Sequence, residues 1–221
     1  MMATSSDTSR FSNSEDFANA ISHLIGTFLS VAALVIMVIF SALRGNAWHI
    51  VSSSVFGTSL IMLYLSSTIA HCLPAGRKKD LFFIIDQAAI FILIAGTYTP
   101  LTLITLRGTL GWIIFGIEWG LAVFGVSRLL IRPGKFEDGV GIPDILIYTA
   151  MGWMVAFVAG PVLRSIHSMG FIWIIIGGLF YTIGIIFFKL TKFQYHHLIW
   201  HLMVIGGSAS HFTAIFFYVL P

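Results

Sequence analysis

The chain has 221 residues, 57% of them hydrophobic and 10% charged, with a mean hydropathy of +0.95. That composition excludes a soluble globular domain and predicts an all-α integral membrane protein for which the bilayer is the solvent. The net charge of +3 is spread over short loops, so it reads as a topology signal touching anionic lipid and not as a nucleic-acid surface; the single cysteine, Cys72, excludes an intramolecular disulfide.

Residues 1–16 form a polar segment, expected to be cytoplasmic and to precede a transmembrane domain over residues 17–221. The stretch MMATSSDTSRFSNSEDF has no basic region followed by an apolar run, so no cleavable signal peptide is predicted. Beyond it, seven segments approach the roughly 20 apolar residues that a membrane-crossing helix needs. The first runs from about Ile21 to Leu43. Glu15, Asn19 and His23 lie four apart at its mouth and share a helical face, which suits a cap or a supporting shell better than a ligand set. The second, Ile50 to His71, ends in SSTIAH and sets the Ser67 hydroxyl on the same face as the His71 imidazole.

The third span, Leu81 to Leu106, carries Asp86 near its start, and GTYTP predicts a kink at Pro100 whose freed backbone groups need partners such as Thr97 and Thr99. The fourth, Leu110 to Ile131, holds Glu118 inside GIEWG, a small-residue frame that favours close helix approach and suggests packing with a polar contact. The fifth and sixth, Ile142 to Leu163 and Phe171 to Phe188, carry little chemistry. The seventh, His197 to Leu220, opens on HHLIWHLMVIGGSASH.

Orientation follows from Lys and Arg, which concentrate on the cytoplasmic side. With the N-terminus inside, nine of the twelve lie in inner segments and three, Arg44, Arg107 and Arg164, in outer ones. The N-terminus is therefore expected in the cytoplasm and the C-terminus outside. This topology brings His71, Asp86, His197 and His201 to a similar depth near the cytoplasmic surface, from three different helices. At about 100° per residue, His197, His201 and His211 share one face of the seventh span, but His211 lies about 15 Å deeper than His201.

Three imidazoles and a carboxylate at one depth fit a zinc site in which His71, His197 and His201 are ligands and the fourth position is left to water. Asp86 would then contact the water, with Ser67 beside it. The alternative is interhelical hydrogen bonding without metal, with Asp86 a shielded carboxylate; for His211 hydrogen bonding between helices is the expectation. A Cys72 thiolate ligand is the weaker option beside a bystander thiol.

EDFANAISHLIG in the first span, SSTIAHCLP ending the second, DQAAIFILIAGTYTP in the third and HHLIWHLMVIGGSASHF in the seventh occur in an order and spacing that resemble the hemolysin III family, the bacterial branch of the progestin and adipoQ receptor superfamily. The likeness covers essentially the whole chain, with Ala70 standing where many members carry an aromatic residue. It implies a seven-helix bundle in a bacterial inner membrane, with Zn2+ held by His71, His197 and His201 and with Asp86 and Ser67 at the water-contacting positions. Two function classes follow from it. One is a zinc-dependent hydrolase of lipid amide or ester bonds, ceramidase-like, with membrane lipids as its partners. The other is a non-enzymatic regulator of membrane homeostasis, or a hemolysin in the sense of cytolysis, with a structural zinc.

Overall fold

The computed structural model describes residues 12–131 and 140–221. Arg10, Arg132 and Lys135, which enter the charge count used for orientation, lie outside the described residues. Among the described residues eight α-helices follow one another: α1 Asn13–Arg44, α2 Ala47–Cys72, α3 Arg77–Pro100, α4 Thr109–Ile131, α5 Ile142–Gly152, α6 Ala159–Ser165, α7 Ser168–Lys189 and α8 His196–Tyr218. Helices α5 and α6 form one crossing together, so seven helical spans of the described residues are long and apolar enough to traverse a membrane. No strand occurs among the described residues.

Helix α1 starts well before the apolar stretch because its polar beginning is capped. Ser12 accepts from the Glu15 backbone N–H, and the Glu15 carboxylate accepts in return from the Ser12 backbone, the reciprocal pairing of a capping box. The next connection ends in a second such cap, with Asn46 accepting from the Trp48 N–H.

In a bilayer, apolar surface gives helices little reason to associate, so close packing falls to small residues. Helix α2 buries Ser52, Ser53, Ser59, Ser66 and Ser67 among its larger side chains. Ser59, Ser66 and Thr68 return their hydroxyl protons to carbonyls three or four residues back, which lets polar side chains sit inside the bundle at low cost. Ser53 meets Ser41 of α1 at 2.9 Å across the helix pair. Gly125 of α4 lies flat against the Phe91 ring, and Gly111 lies against the Thr102 carbonyl of the preceding span.

Two spans are irregular. After Pro100, α3 continues as a π-helical turn over Leu101–Thr105, the response of a helix that has lost a backbone donor. Thr97 and Thr99 do not serve that turn: they bond the Leu93 and Ala95 carbonyls at 2.8 and 2.9 Å, within the regular helix. Thr102 serves it instead, donating toward the carbonyls of Tyr98 and Thr99. The fifth span, expected as one helix, breaks after Gly152 into a 3₁₀ stretch, Met154–Val158, before α6. The break is bridged from α3. The Tyr98 hydroxyl donates to the Gly152 carbonyl at 3.0 Å and accepts from the Val155 N–H at 2.7 Å, so the interrupted backbone stays paired inside the bundle.

Candidate metal centre

The end of α2 and the start of α8 supply three buried imidazoles, His71, His197 and His201. One ring nitrogen from each lies within 4.8 Å of the other two, so the three can hold a metal ion together. Ring centroids are separated by 5.2 Å for His71 and His197, 5.1 Å for His71 and His201, and 4.6 Å for His197 and His201. The i, i+4 spacing on α8 accounts for the last of these, since those positions sit one above the other on a helix.

Each imidazole has two nitrogens, and hydrogen bonds to one of them decide which is left for a ligand. His71 Nδ1 meets Asp16 Oδ1 of α1 at 2.8 Å, and Lys79 Nζ of α3 meets the other carboxylate oxygen at 2.6 Å. His201 Nδ1 faces two acceptors of α1, Ser22 Oγ at 3.0 Å and the Asn19 carbonyl at 3.2 Å. Ser22 directs its own hydroxyl proton to that carbonyl, so its oxygen is left to accept from the ring. Both arrangements favour the proton on Nδ1, which makes Nε2 the ligating nitrogen of each ring if a cation binds.

Helix α1 therefore brings together the polar residues at its mouth, each in a distinct place. Glu15 accepts from the Tyr195 N–H at 2.9 Å, tying the start of α1 to the start of α8. Tyr195 itself has a φ of 63°, a left-handed conformation unusual for a side chain of its size, and it directs the chain into α8 just ahead of the histidines. Asn19 contributes its backbone carbonyl to His201. His23 stacks on the His201 ring with centroids 3.5 Å apart and planes at 14°.

Asp86 and Ser67 stand beside the imidazoles without joining the three-histidine group. Ser67 Oγ lies beside the Asp86 carboxyl, short of a well-formed hydrogen bond. Both residues line a cavity of about 140 Å³ whose wall also includes His23, His197 and His201. From Phe83 on α3 to Leu101 just after it the lining runs about 27 Å at the helical rise, and it is mostly apolar. His211 reaches the same cavity far from the imidazole cluster, as its depth in the sequence predicts. Among the described residues its ring makes no interhelical hydrogen bond; it stacks on Tyr181 at 5.5 Å and lies against Gly177.

Glu118 is fully buried, yet no residue of α4 lines the cavity, so it stands apart from the site. Cys72 is exposed. His196 is buried with Nδ1 against the Phe187 carbonyl at 3.1 Å. Asp16, Ser22 and Lys79 were not singled out by spacing. Asp16, Asn19 and His23 fall at i, i+3 and i+7, a stripe that would have found the first of them; Lys79 reads from sequence only as part of a basic loop.

Seven helical crossings around a buried tri-histidine cluster define a multi-pass membrane protein with a candidate metal centre at one end of an apolar cavity. The family described as "Haemolysin-III related" matches residues 11–212, and the chain belongs to that family. It is 42% identical over 208 residues to the "Hemolysin-3 homolog" of Bacillus subtilis (strain 168), covering 94% of this chain and 96% of that one. It is also 42% identical over 207 residues to the "Hemolysin-3" of Bacillus cereus, covering 94% and 93%. The "Monocyte to macrophage differentiation factor" of Homo sapiens is 27% identical over 212 residues, covering 93% and 84%.

Proposed function

We propose that the protein is a zinc-dependent intramembrane hydrolase acting on an amide or ester bond of a membrane lipid, with its centre near the cytoplasmic face of a bacterial inner membrane. The observation that carries this reading is a cluster of three convergent imidazoles, two of which, His197 and His201, line an apolar cavity that a carboxyl group, Asp86, also lines.

The donor set fits zinc. Three neutral nitrogen ligands with an open fourth position are the arrangement of catalytic zinc sites. Tetrahedral ligation with bonds of roughly 2.0–2.1 Å asks for nitrogens about 3.3 Å apart, so closing from separations within 4.8 Å needs ring movements of about an ångström. His71, His197 and His201 would hold the ion. Zinc there supplies Lewis acidity and brings the pKa of water toward neutrality.

The remaining steps belong to the protein. Asp86 accepts the proton of the attacking water and returns it to the departing amine or alcohol, which keeps protons in balance across the reaction. Ser67 orients the Asp86 carboxyl from beside it. The apolar wall from Ile90 on α3 to Leu101 just beyond it receives an acyl chain while the scissile bond stays level with the histidines. The nine-to-three bias of Lys and Arg supports a cytoplasmic N-terminus and a cleaved bond near that side.

Incubating the purified, zinc-loaded protein with ceramides and phospholipids, and detecting released fatty acid by mass spectrometry, tests the reading. Release by the wild type and its loss in Asp86→Asn, with zinc content unchanged, is expected. A zinc-containing wild type that releases nothing from either lipid class would leave the non-enzymatic regulator with a structural zinc as the better account.

A further inference from the structure

Two of the three candidate ligands are held by α1, but by partners of different strength. His201 Nδ1 faces neutral oxygens of Ser22 and Asn19 at 3.0 and 3.2 Å. His71 Nδ1 faces a carboxylate, at 2.8 Å, and that carboxylate is itself held by the Lys79 ammonium at 2.6 Å. His71, Asp16 and Lys79 come from α2, α1 and α3 and are all buried, so three helices meet at one chain of charge-assisted bonds.

A buried carboxylate costs several kcal/mol in order-of-magnitude terms unless it is paired and hydrogen-bonded. Here both oxygens are used, one on each partner. Lys79 fixes the plane of the carboxylate so that the free direction of Oδ1 lies on the His71 ring. The ring is thereby held in one tautomer and one orientation, with Nε2 directed toward His197 and His201. A carboxylate behind an imidazole also makes its far nitrogen a stronger electron donor.

We infer that Asp16, anchored by Lys79, is the positioning residue of the metal centre: it holds His71 as the fixed ligand against which the α8 pair closes, and it sets the affinity of the site for a divalent metal ion. This inference rests on the metal reading above. It gives α1, which contributes no ligand, control over a centre built from α2 and α8.

The test uses the full chain in detergent, with zinc affinity measured by chelator competition and cobalt(II) loading followed by its visible spectrum. Removing an outer partner of a metal-bound histidine typically weakens binding 10- to 100-fold. Asp16→Asn keeps an acceptor but loses the charge and is expected near the low end, about 10-fold. Asp16→Ala loses both and is expected near 100-fold, with a shifted cobalt spectrum as the His71 ring turns. Asp16→Glu, which keeps the charge, is expected to recover most of the affinity. Ser22→Ala, acting on the neutral side of the site, should change affinity less than 3-fold, about 0.7 kcal/mol at the 1.4 kcal/mol per tenfold of an equilibrium constant.

A wild type that takes up neither zinc nor cobalt overturns the metal reading, and this inference with it. A wild type that binds metal while Asp16→Asn and Asp16→Ala bind it equally well overturns the positioning role alone. Asp16→Glu as weak as Asp16→Ala would also overturn it, because charge would then not be what holds the ring.

Discussion

Replacing His197 by alanine separates a metal centre from a cluster of packed histidines. His197 lies against His71, His201 and Phe188, with ring centroids 5.2, 4.6 and 5.7 Å away, so truncation opens space beside the cavity without touching the bonds from α1 to His71 and His201. As packing alone, the change costs about 1–3 kcal/mol, the usual range for single substitutions. As a lost ligand it acts on a different quantity. If the roughly 10–16 kcal/mol of a four-coordinate structural zinc site is shared equally among its ligands, one imidazole accounts for about 3–4 kcal/mol, or two to three orders of magnitude in affinity. The assay is thermal unfolding in detergent with and without zinc. At a free zinc level 100 times the wild-type dissociation constant, the wild type gains about 2.7 kcal/mol. A variant weakened 100-fold gains about 0.4 kcal/mol at the same level, and one weakened 1,000-fold less than about 0.1. The expected outcome is a zinc-induced rise in melting temperature for the wild type that nearly vanishes in His197→Ala, matched by zinc content from elemental analysis. An equal zinc response in both proteins refutes the assignment of His197 as a ligand.

Two further outcomes test the fold and its placement in the membrane. A methyl group on Gly111 would run into the Thr102 carbonyl of the neighbouring span, whereas one on Gly116 of the same helix meets open space; Gly111→Ala should destabilise by about 1–3 kcal/mol through overpacking and Gly116→Ala should stabilise by about 0.5–1 kcal/mol through helix propensity, both read from unfolding of the purified protein. Cys72 is the single cysteine and is exposed at the end of α2. A membrane-impermeant maleimide should label it in inverted inner-membrane vesicles and not in intact spheroplasts, and the opposite pattern would reverse the orientation read from Lys and Arg.

The seven crossings were legible because hydropathy over about 20 residues is the strongest signal a membrane protein carries. Their ends were less so. Helix α1 begins at Asn13 and not near Ile21, because hydropathy sees the apolar part of a helix and is blind to the capped polar turn ahead of it. The break in the fifth span was invisible: Gly152 and Pro161 lie in an apolar run, and what makes the interruption tolerable is Tyr98, more than fifty residues earlier in the chain. For the site, depth and helical phase were enough to draw His71, His197 and His201 together, since antiparallel neighbours with short connections leave little freedom in depth. The residues that hold the imidazoles were not legible in the same way. Asp16 stands next to Glu15, and nothing in the pair EDF says that one carboxylate caps the helix and reaches Tyr195 while the other reaches His71. Lys79 belongs to the run RKK, whose three members look alike until burial singles one out.

The division of labour between helices follows from the bilayer. An imidazole inside a bundle carries two nitrogens that both need partners, and hydrocarbon offers none. On α2 and α8 one nitrogen of His71 and one of His201 is satisfied by α1, through Asp16 and through Ser22 with the Asn19 carbonyl. One ring nitrogen of each comes within 4.8 Å of one on the other and of one on His197, close enough for the three to share a cation. The stripe along α1 expected from sequence as a cap or supporting shell, Glu15, Asn19 and His23, meets separate partners: Glu15 the start of α8, Asn19 through its backbone His201, and His23 the face of the His201 ring. A helix that donates no ligand can in this way fix the orientation of two that do. A metal ion held by these histidines would consequently depend on the docking of α1 as well as on the residues that touch it, and substitutions along α1 should alter affinity without removing any nitrogen from the site.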